Sequence, residues 1–193
     1  MRKQSVLLVF ALTLVYWAQG QTTIVSYGSS WKYLDNGTNQ RTAWRAVGFN
    51  DAAWATGNAQ LGYGDGDETT VVSYGPNANN KYVTTYFRKA ITVSNVAAFT
   101  GFTINIKRDD GAVVYINGTQ RFRTNMPTGN ITYTTKASSD AADDGNTVQT
   151  INIPANALVN GTNVIAVEIH QHTVTSSDIS FDLELIASGD ITP

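Results

Sequence analysis

The pattern that most constrains this fold is the alternation of apolar and polar residues in short runs, each interrupted by glycine, asparagine, aspartate or proline. The last run is the clearest: Ile179, Phe181, Leu183 and Leu185 alternate with Ser180, Asp182 and Glu184. This two-residue period is typical of a strand with one buried face. Beyond residue 20 no window has a helical period long enough to indicate a helix. The whole chain contains 25 threonines, 17 valines, 17 asparagines and 16 glycines, which are typical strand and turn residues. The sequence therefore predicts an all-β fold.

Eight strands and one tight hairpin are predicted from these runs. The strands are 71–74, 82–93, 102–107, 112–116, 119–123, 148–153, 163–170 and 179–186. Asn117-Gly118 separates two of them and suits a type I′ turn, in which both central residues need positive φ. A chain of 193 residues, 42% of them hydrophobic, is long enough for one sizeable core. One domain is expected.

The N-terminus has the pattern of an export signal. Arg2 and Lys3 precede an apolar run at residues 6–17, and Ala18-Gln19-Gly20 is a small-x-small cleavage pattern. The run is shorter than the roughly 20 apolar residues that a membrane-spanning helix needs. We expect a signal peptide at 1–20, one domain at 21–187, a tail or linker at 188–193, and a secreted protein without a membrane span.

Composition excludes several classes of protein. The chain has no cysteine, so disulfides, thiolate nucleophiles and sulfur-ligated zinc are absent. Thirteen basic against 15 acidic residues provide no cationic field for a phosphate backbone, so nucleic acid is not an expected partner.

A series of motifs in order resembles a known superfamily. The motifs are Trp31-Lys32-Tyr33-Leu34-Asp35, Trp44-Arg45, Gly48-Phe49-Asn50-Asp51, Trp54, the run 61–68, Tyr86-Phe87-Arg88-Lys89, the run 108–118, the run 161–168 and Ser177-Asp178-Ile179-Ser180-Phe181. Together they resemble the jelly-roll modules of the galactose-binding-like superfamily. A similar pattern occurs in the sugar-binding domain of some large β-glycosidases and in accessory modules of secreted bacterial proteins, including ones with metallophosphoesterase domains. The resemblance implies a jelly-roll β-sandwich without catalytic activity.

The residues themselves give little support to an enzyme. No Gly-x-Ser-x-Gly nucleophile motif occurs, and residues 62–66 lack the spacing of a dinucleotide-binding loop. Glu168, His170 and His172 would share one face of a strand and could hold a transition metal. The favoured alternative pairs Glu168 with a basic group such as Arg108 and leaves a hydrogen-bonded histidine near the rim.

Acidic turns provide candidate calcium ligands. Asp65, Asp67 and Glu68 lie beside glycines, and hard cations prefer such carboxylate and carbonyl oxygens. A solvated acidic turn explains the same residues equally well. Asp143-Asp144-Gly145 is a weaker second candidate, whereas Asp109-Asp110-Gly111 is interpreted as a turn whose side chains cap local backbone amides. The resemblance also implies a structural calcium ion, because galactose-binding-like modules frequently carry one.

Aromatic residues outside the predicted core are the candidates for ligand contact. Trp31, Trp44 and Trp54 are expected to pack in the core or at an edge. Tyr63, Tyr74 and Tyr82 lie in or beside the loop 62–81 and could stack on the apolar face of a sugar ring. His170 and His172 are placed beside them as further ligand-binding candidates.

Three functions follow as hypotheses. The leading one is a secreted, non-catalytic module that binds a glycan or polysaccharide at a cell surface or in an extracellular matrix. The alternative is a structural or assembly subunit that contacts copies of itself or other secreted domains. A minor alternative is an accessory domain of a secreted hydrolase or phosphoesterase.

Overall fold

The computed structural model describes residues 20–189, which form two six-stranded sheets. The strands are β1 (Gly20–Val25), β2 (Ser30–Leu34), β3 (Ala55–Asn58), β4 (Leu61–Tyr63), β5 (Thr70–Val71), β6 (Thr84–Val93), β7 (Phe99–Asp109), β8 (Gly111–Ile116), β9 (Thr119–Thr124), β10 (Gln149–Pro154), β11 (Gly161–His170) and β12 (Ile179–Gly189). Three single 3₁₀ turns, at Ala43–Arg45, Val96–Ala98 and Ala155–Ala157, are the only helical segments within this range.

The two sheets form a sandwich. Sheet 1 has the order β10-β7-β12-β4-β5, and β1 also pairs with β12. Sheet 2 has the order β3-β2-β6-β11-β8-β9. Every pairing is antiparallel except β4 with β5. This architecture confirms the predicted all-β sandwich of the jelly-roll, galactose-binding-domain-like type.

The main core lies between the sheets, where alternate residues of facing strands meet. Phe87 of β6 stacks on Phe181 of β12 with ring centroids 4.3 Å apart, and Trp31 of β2 meets Phe181 edge-on at 5.0 Å. All three rings are at most 1% exposed. Burying side chains of this size contributes about 1.5–3 kcal/mol each to stability, so these aromatic contacts join the sheets.

A second apolar cluster covers the outer face of sheet 2. It contains the opposite alternation of the same strands, including Tyr86, Val113 and Ala166. Trp44 and Trp54 of the segment between β2 and β3 pack on this face. Sheet 2 is therefore buried on both sides, and the prediction that the three tryptophans pack internally is confirmed, since Trp31, Trp44 and Trp54 are 1%, 0% and 7% exposed.

Most predicted strands are present with longer or shorter ends. The Asn117-Gly118 turn joins β8 to β9 with φ of 52° and 82°, which confirms the hairpin. The predicted strand at 71–74 is wrong beyond Val71, because Ser73 donates its amide to Asp35 Oδ2 at 2.6 Å instead of joining a ladder. Strand β12 continues to Gly189, two residues past the predicted domain end at 187, and pairs there with Gly20.

Two further predictions fall largely outside the described residues. The export signal at 1–20 precedes them except for Gly20, and residues 190–193 of the predicted tail follow them. Within residues 20–189 no helix has both the length and the apolar character needed to cross a membrane.

Candidate functional site

The register of the strands brings most candidate residues to one end of the sandwich. In sheet 1, Ile179 pairs with Tyr63 and Ser180 with Asp109, so the end of β4, the end of β7 and the start of β12 lie together. In sheet 2, His170 pairs with both Thr84 and Gly111, so the end of β11 meets the starts of β6 and β8. We call this end of the molecule the functional end.

Tyr63 lies inside the functional end and does not form part of the surface. It is 5% exposed, and its hydroxyl accepts a hydrogen bond from Gln171 Nε2. Burial, followed by the charges of Asp178 and Asp110, raises the pKa of Tyr63 far above its ordinary value. Its ring is therefore a buried support that Tyr74 meets edge-on at 5.2 Å, and not one of the accessible aromatics expected in the loop 62–81.

Tyr74 and Tyr82 reach the surface beside Tyr63. Tyr74 is 38% exposed, and the Lys81 ammonium lies 5.6 Å from the centroid of its ring. Tyr82 donates its backbone amide to the Tyr74 carbonyl at 3.0 Å, and its ring is half-buried between Gly37 and Gly75. These two residues fit the predicted role of accessible aromatics.

Tyr82 also forms a wall of an open cleft of about 340 Å³, which we call the rim cleft. Its lining consists of Pro76, Asn77, Asn80, Lys81, Tyr82, Val83, Tyr133 and Val174. Aromatic rings, side-chain amides and one ammonium group are the groups that hold a sugar, because its ring has an apolar face and its hydroxyls need hydrogen-bond partners.

His170 cannot contact a ligand at the surface. It is fully buried, and its Nδ1 lies 2.7 Å from the Thr135 carbonyl and 3.0 Å from Thr84 Oγ1. Since a carbonyl only accepts, Nδ1 carries the proton of this bond. Strand alternation placed His170 on the outer face of sheet 2, but the segment that contains Thr135 covers that face.

His172 lies just beyond the end of β11 and is partly exposed. Its Nδ1 is 2.9 Å from Asp140 Oδ1, and its backbone amide donates to Asp110 Oδ2 at 2.8 Å. It does not join Glu168 and His170 in a metal-binding group, because the chain leaves the strand before it. The same-face metal arrangement is thus not formed.

Glu168 has different partners from the one predicted. Its Oε1 accepts a hydrogen bond from the Tyr115 hydroxyl at 2.6 Å and pairs with Arg45 Nη2 at 3.2 Å. Arg108 instead pairs with Asp143, with its Nη1 3.8 Å from Asp143 Oδ1. The prediction that Glu168 pairs with a basic group is confirmed, with Arg45 in place of Arg108. Arg108 belongs to sheet 1, whereas Glu168 faces the outer side of sheet 2.

Arg45 and Tyr115 also border a second cleft, which sequence reasoning missed. It has a volume of about 510 Å³ and is lined by Thr42, Arg45, Tyr115, Gly118, Gln120, Arg123, Gly129, Asn130, Ile131 and Thr132. The Arg45 guanidinium lies 4.0 Å from the centroid of the Tyr115 ring. Its two arginines, Arg45 and Arg123, are 78 residues apart in the sequence, so no local pattern joins them.

The acidic loop 65–68 is compact, as predicted. One carboxylate oxygen from each of Asp65, Asp67 and Glu68 lies within 4.8 Å of the others. Glu68 accepts the backbone amides of Asp65 and Gly66, both at 3.0 Å. Asp65 Oδ2 also accepts a hydrogen bond from Ser180 Oγ at 3.1 Å, which attaches the loop to β12.

A second acidic group lies beneath this loop. Oxygens of Asp109, Asp144 and Asp178 lie within 4.8 Å of one another, and Asp109 and Asp178 are 3% and 6% exposed. Burial, then the charge of Asp110, raises the pKa of Asp109 well above its usual range. We call these three residues the buried aspartate cluster.

The predicted capping role fits Asp110 and not Asp109. Asp110 accepts the backbone amides of Ala141 and His172, both at 2.8 Å. Both amides are distant from Asp110 in sequence, so Asp110 caps backbone groups of other segments and not the local amides that were predicted. Asp109 instead faces the other carboxylates.

Several solved structures have a fold similar to that of this chain. No protein-family model matches the chain, and no curated protein matches it. One similar structure is a calcium-binding mutant of Bacteroides uniformis β-glucuronidase 2, with 14% identity and a TM-score of 0.51 over 88% of this chain and 18% of that one. Another is an uncultured Clostridium sp. β-glucuronidase, with 9% identity and a TM-score of 0.52 over 93% of this chain and 31% of that one. A third is a glycosyl hydrolase family 2 member from Bacteroides cellulosilyticus, with 10% identity and a TM-score of 0.56 over 87% of this chain and 20% of that one.

These similarities establish the fold. The chain matches a β-sandwich domain of β-glycosidases, which confirms the resemblance at the level of architecture. The chain spans only about 18% of the length of the first of these enzymes.

Proposed function

We propose that this chain is a secreted, non-catalytic module that binds carbohydrate through the rim cleft. The observation that carries the proposal is the grouping of Tyr82, Asn77, Asn80 and Lys81 around one open cleft, with exposed Tyr74 adjacent in structure. The similarity in fold to a domain of β-glycosidases supports it. In the same proposal the module serves as an accessory domain that keeps a secreted hydrolase or assembly close to a glycan.

The expected affinity is modest. Stacking of a sugar on one aromatic ring contributes about 0.5–1.5 kcal/mol beyond area burial, and an open cleft surrounds little of the ligand. A dissociation constant between about 1 mM and 1 μM is therefore expected.

The proposal includes calcium at the loop 65–68. Three carboxylates converge there, and Gly64 and Gly66 have φ of 113° and 79°, which lets the backbone curve around a cation. Because these carboxylates are largely exposed and already accept hydrogen bonds, this site would be weak.

A glycan array followed by calorimetry on the best ligand tests carbohydrate binding. Tyr82→Ala and Asn80→Ala are expected to lower the affinity about 3- to 10-fold each, since one stacking contact or hydrogen bond is worth about 1 kcal/mol. Val71→Ala is the matched control, because Val71 is 69% exposed near the same loop and outside the cleft lining. It should bind like the unmodified chain.

Two outcomes would contradict this function. A blank array together with concentration-dependent association in light scattering would favour the assembly subunit. Binding that Arg123→Ala abolishes and Asn80→Ala leaves intact would assign the sugar to the second cleft.

A further inference from the structure

The buried aspartate cluster combines three segments that are far apart in the sequence. Asp109 ends β7, Asp144 lies in the long connection between β9 and β10, and Asp178 precedes β12. One oxygen of each lies within 4.8 Å of the other two. Convergence of this kind places three like charges in a space that fits a single ion.

The negative charge of this cluster has little compensation from the protein. Asp178 is 6% exposed, and its Oδ2 is buried with no hydrogen-bond partner among residues 20–189. No ion pair within that range includes Asp109 or Asp178. Ser177 Oγ donates a hydrogen bond to the other oxygen, Oδ1. A buried carboxylate oxygen without a partner is costly, so the unpaired Oδ2 indicates a missing partner.

The surrounding charges do not provide that partner. Asp65 and Asp110 add negative charge to Asp109. Lys81 attracts Asp178, yet its ammonium donates its hydrogen bond to the Ser176 carbonyl. Arg108 lies beside Asp143 at 3.8 Å. Since residues 20–189 supply no such partner, a bound cation is the remaining way to balance the charge, apart from protons.

The ligand atoms select the kind of cation. Three carboxylates without sulfur or imidazole suit a hard ion that takes six to eight oxygens in flexible geometry. Gly64 allows the close approach, because a Cβ on it would lie 2.6 Å from Asp178 Cβ. Asp144 is exposed, which leaves room for water on one side of an ion.

We propose that Asp109, Asp144 and Asp178 bind a calcium ion, separate from the weak site at loop 65–68. The ion joins the end of β7, the connection around residue 144 and the segment before β12. Binding of the ion holds the functional end in place, because Asp178 directly precedes Ile179 of β12, which pairs with Tyr63 of β4. This inference stands independently of carbohydrate binding.

Calorimetry and thermal unfolding with Ca²⁺ test the site on the full chain after treatment with chelator. The unmodified chain should bind two ions, and calcium at 100 times the tighter dissociation constant should raise the melting temperature by about 5–10 °C. Asp178→Asn and Asp144→Asn should each abolish the tighter phase and most of this rise. Asp67→Asn, the matched control in the exposed loop, should remove only the weaker phase.

Asp144→Asn keeps the test decisive if Asp178→Asn fails to fold, since Asp144 is exposed. Terbium luminescence excited through tyrosine provides a second readout. Tyr63 can transfer the excitation, because it lies near enough to Asp178 and Asp109 for their charges to raise its pKa. A melting temperature identical in calcium and chelator, with no terbium signal, would overturn the proposal and assign protons to the cluster. Retention of the tighter phase in Asp144→Asn and its loss in Asp67→Asn would overturn it too.

Discussion

At the scale of single residues, two glycines determine where Tyr82 can lie. A Cβ on Gly37 would lie 2.3 Å from Tyr82 Cε1, and one on Gly75 would lie 2.7 Å from Cζ. Both glycines have positive φ, 75° and 96°. The ring that forms a wall of the rim cleft is therefore positioned by the absence of side chains on either side.

Gly37→Ala should destabilise the fold by about 2–4 kcal/mol, because it combines left-handed backbone strain with a clash against the ring. Gly129→Ala is the matched control: it has φ of 88° and no atom within 4 Å of its Cβ position. It should cost only the backbone strain, about 1–2 kcal/mol. Urea unfolding of both variants measures the difference, and equal losses would show that the ring contact contributes nothing.

Individual residues show how far the sequence alone predicts the candidate site. Tyr74 and Tyr82 were predicted as surface aromatics because loop residues usually face solvent. Tyr63 was expected to be accessible in the loop 62–81, but it is a buried residue of β4. His170 is also buried, because alternation assigns a side chain to a face of a sheet but does not say whether another segment covers that face. Residues around Thr135 cover His170, and only the tertiary structure reveals that contact.

At the scale of elements, the segment between β2 and β3 covers one face of sheet 2. Arg88 of β6, 2% exposed, attaches it by pairing with Asp51 at 2.8 Å and donating to the carbonyls of Trp44 and Ala46. Trp44 inserts its ring between Tyr86 at 4.8 Å and Tyr115 at 5.9 Å. The segment thus behaves as part of the core, although it contains only one 3₁₀ turn.

Trp44→Ala should lower the free energy of unfolding by about 3–5 kcal/mol, the cost of removing a large buried ring. Val47→Ala in the same segment is 42% exposed and should change it by less than about 0.5 kcal/mol. Chemical unfolding followed by far-UV circular dichroism compares them. If the two variants had equal stability, the segment would be a loose covering and not a packed layer.

Element length explains which strands the sequence could reveal. The long strands β7 and β12 carry enough alternating residues to show their period. The long strands β6 and β11 lie in the sheet that is buried on both sides, so the sequence shows them as runs of apolar and β-branched residues. β3 is Ala-Thr-Gly-Asn, and all three residues of β4 are buried, so neither shows alternation. Short strands of this kind form because a neighbouring strand is already in place.

At the scale of the whole molecule, the functional end is assembled from long-range pairings that no local pattern encodes. The sequence predicted loop 65–68 as an acidic group because its residues are adjacent. The buried aspartate cluster depends on the register of β12 against β7 and β4. Its acids lie in three separated segments, so only the fold could reveal it.

The balance of carboxyl groups predicts how stability depends on pH in the presence of chelator. Burial is the first cause that raises the pKa of Asp65, Asp109, Asp178 and Asp182. A carboxyl group with a raised folded pKa holds more protons folded than unfolded, so its stabilisation is lost as the pH rises from the ordinary value of about 3.9 through the folded value. Asp143 has a lowered pKa, and its opposite contribution is lost only below about pH 4.

Urea unfolding from about pH 4 to pH 8 should therefore give a free energy of unfolding that falls as the pH rises. Asp182→Asn tests the cause, because Asp182 accepts the amides of Gly28 and Leu183 and lies outside both acidic groups. The variant should show a shallower fall, since one titrating group is gone. A free energy that rises with pH, or an unchanged slope in the variant, would show that burial of these carboxyl groups does not control the stability of the molecule.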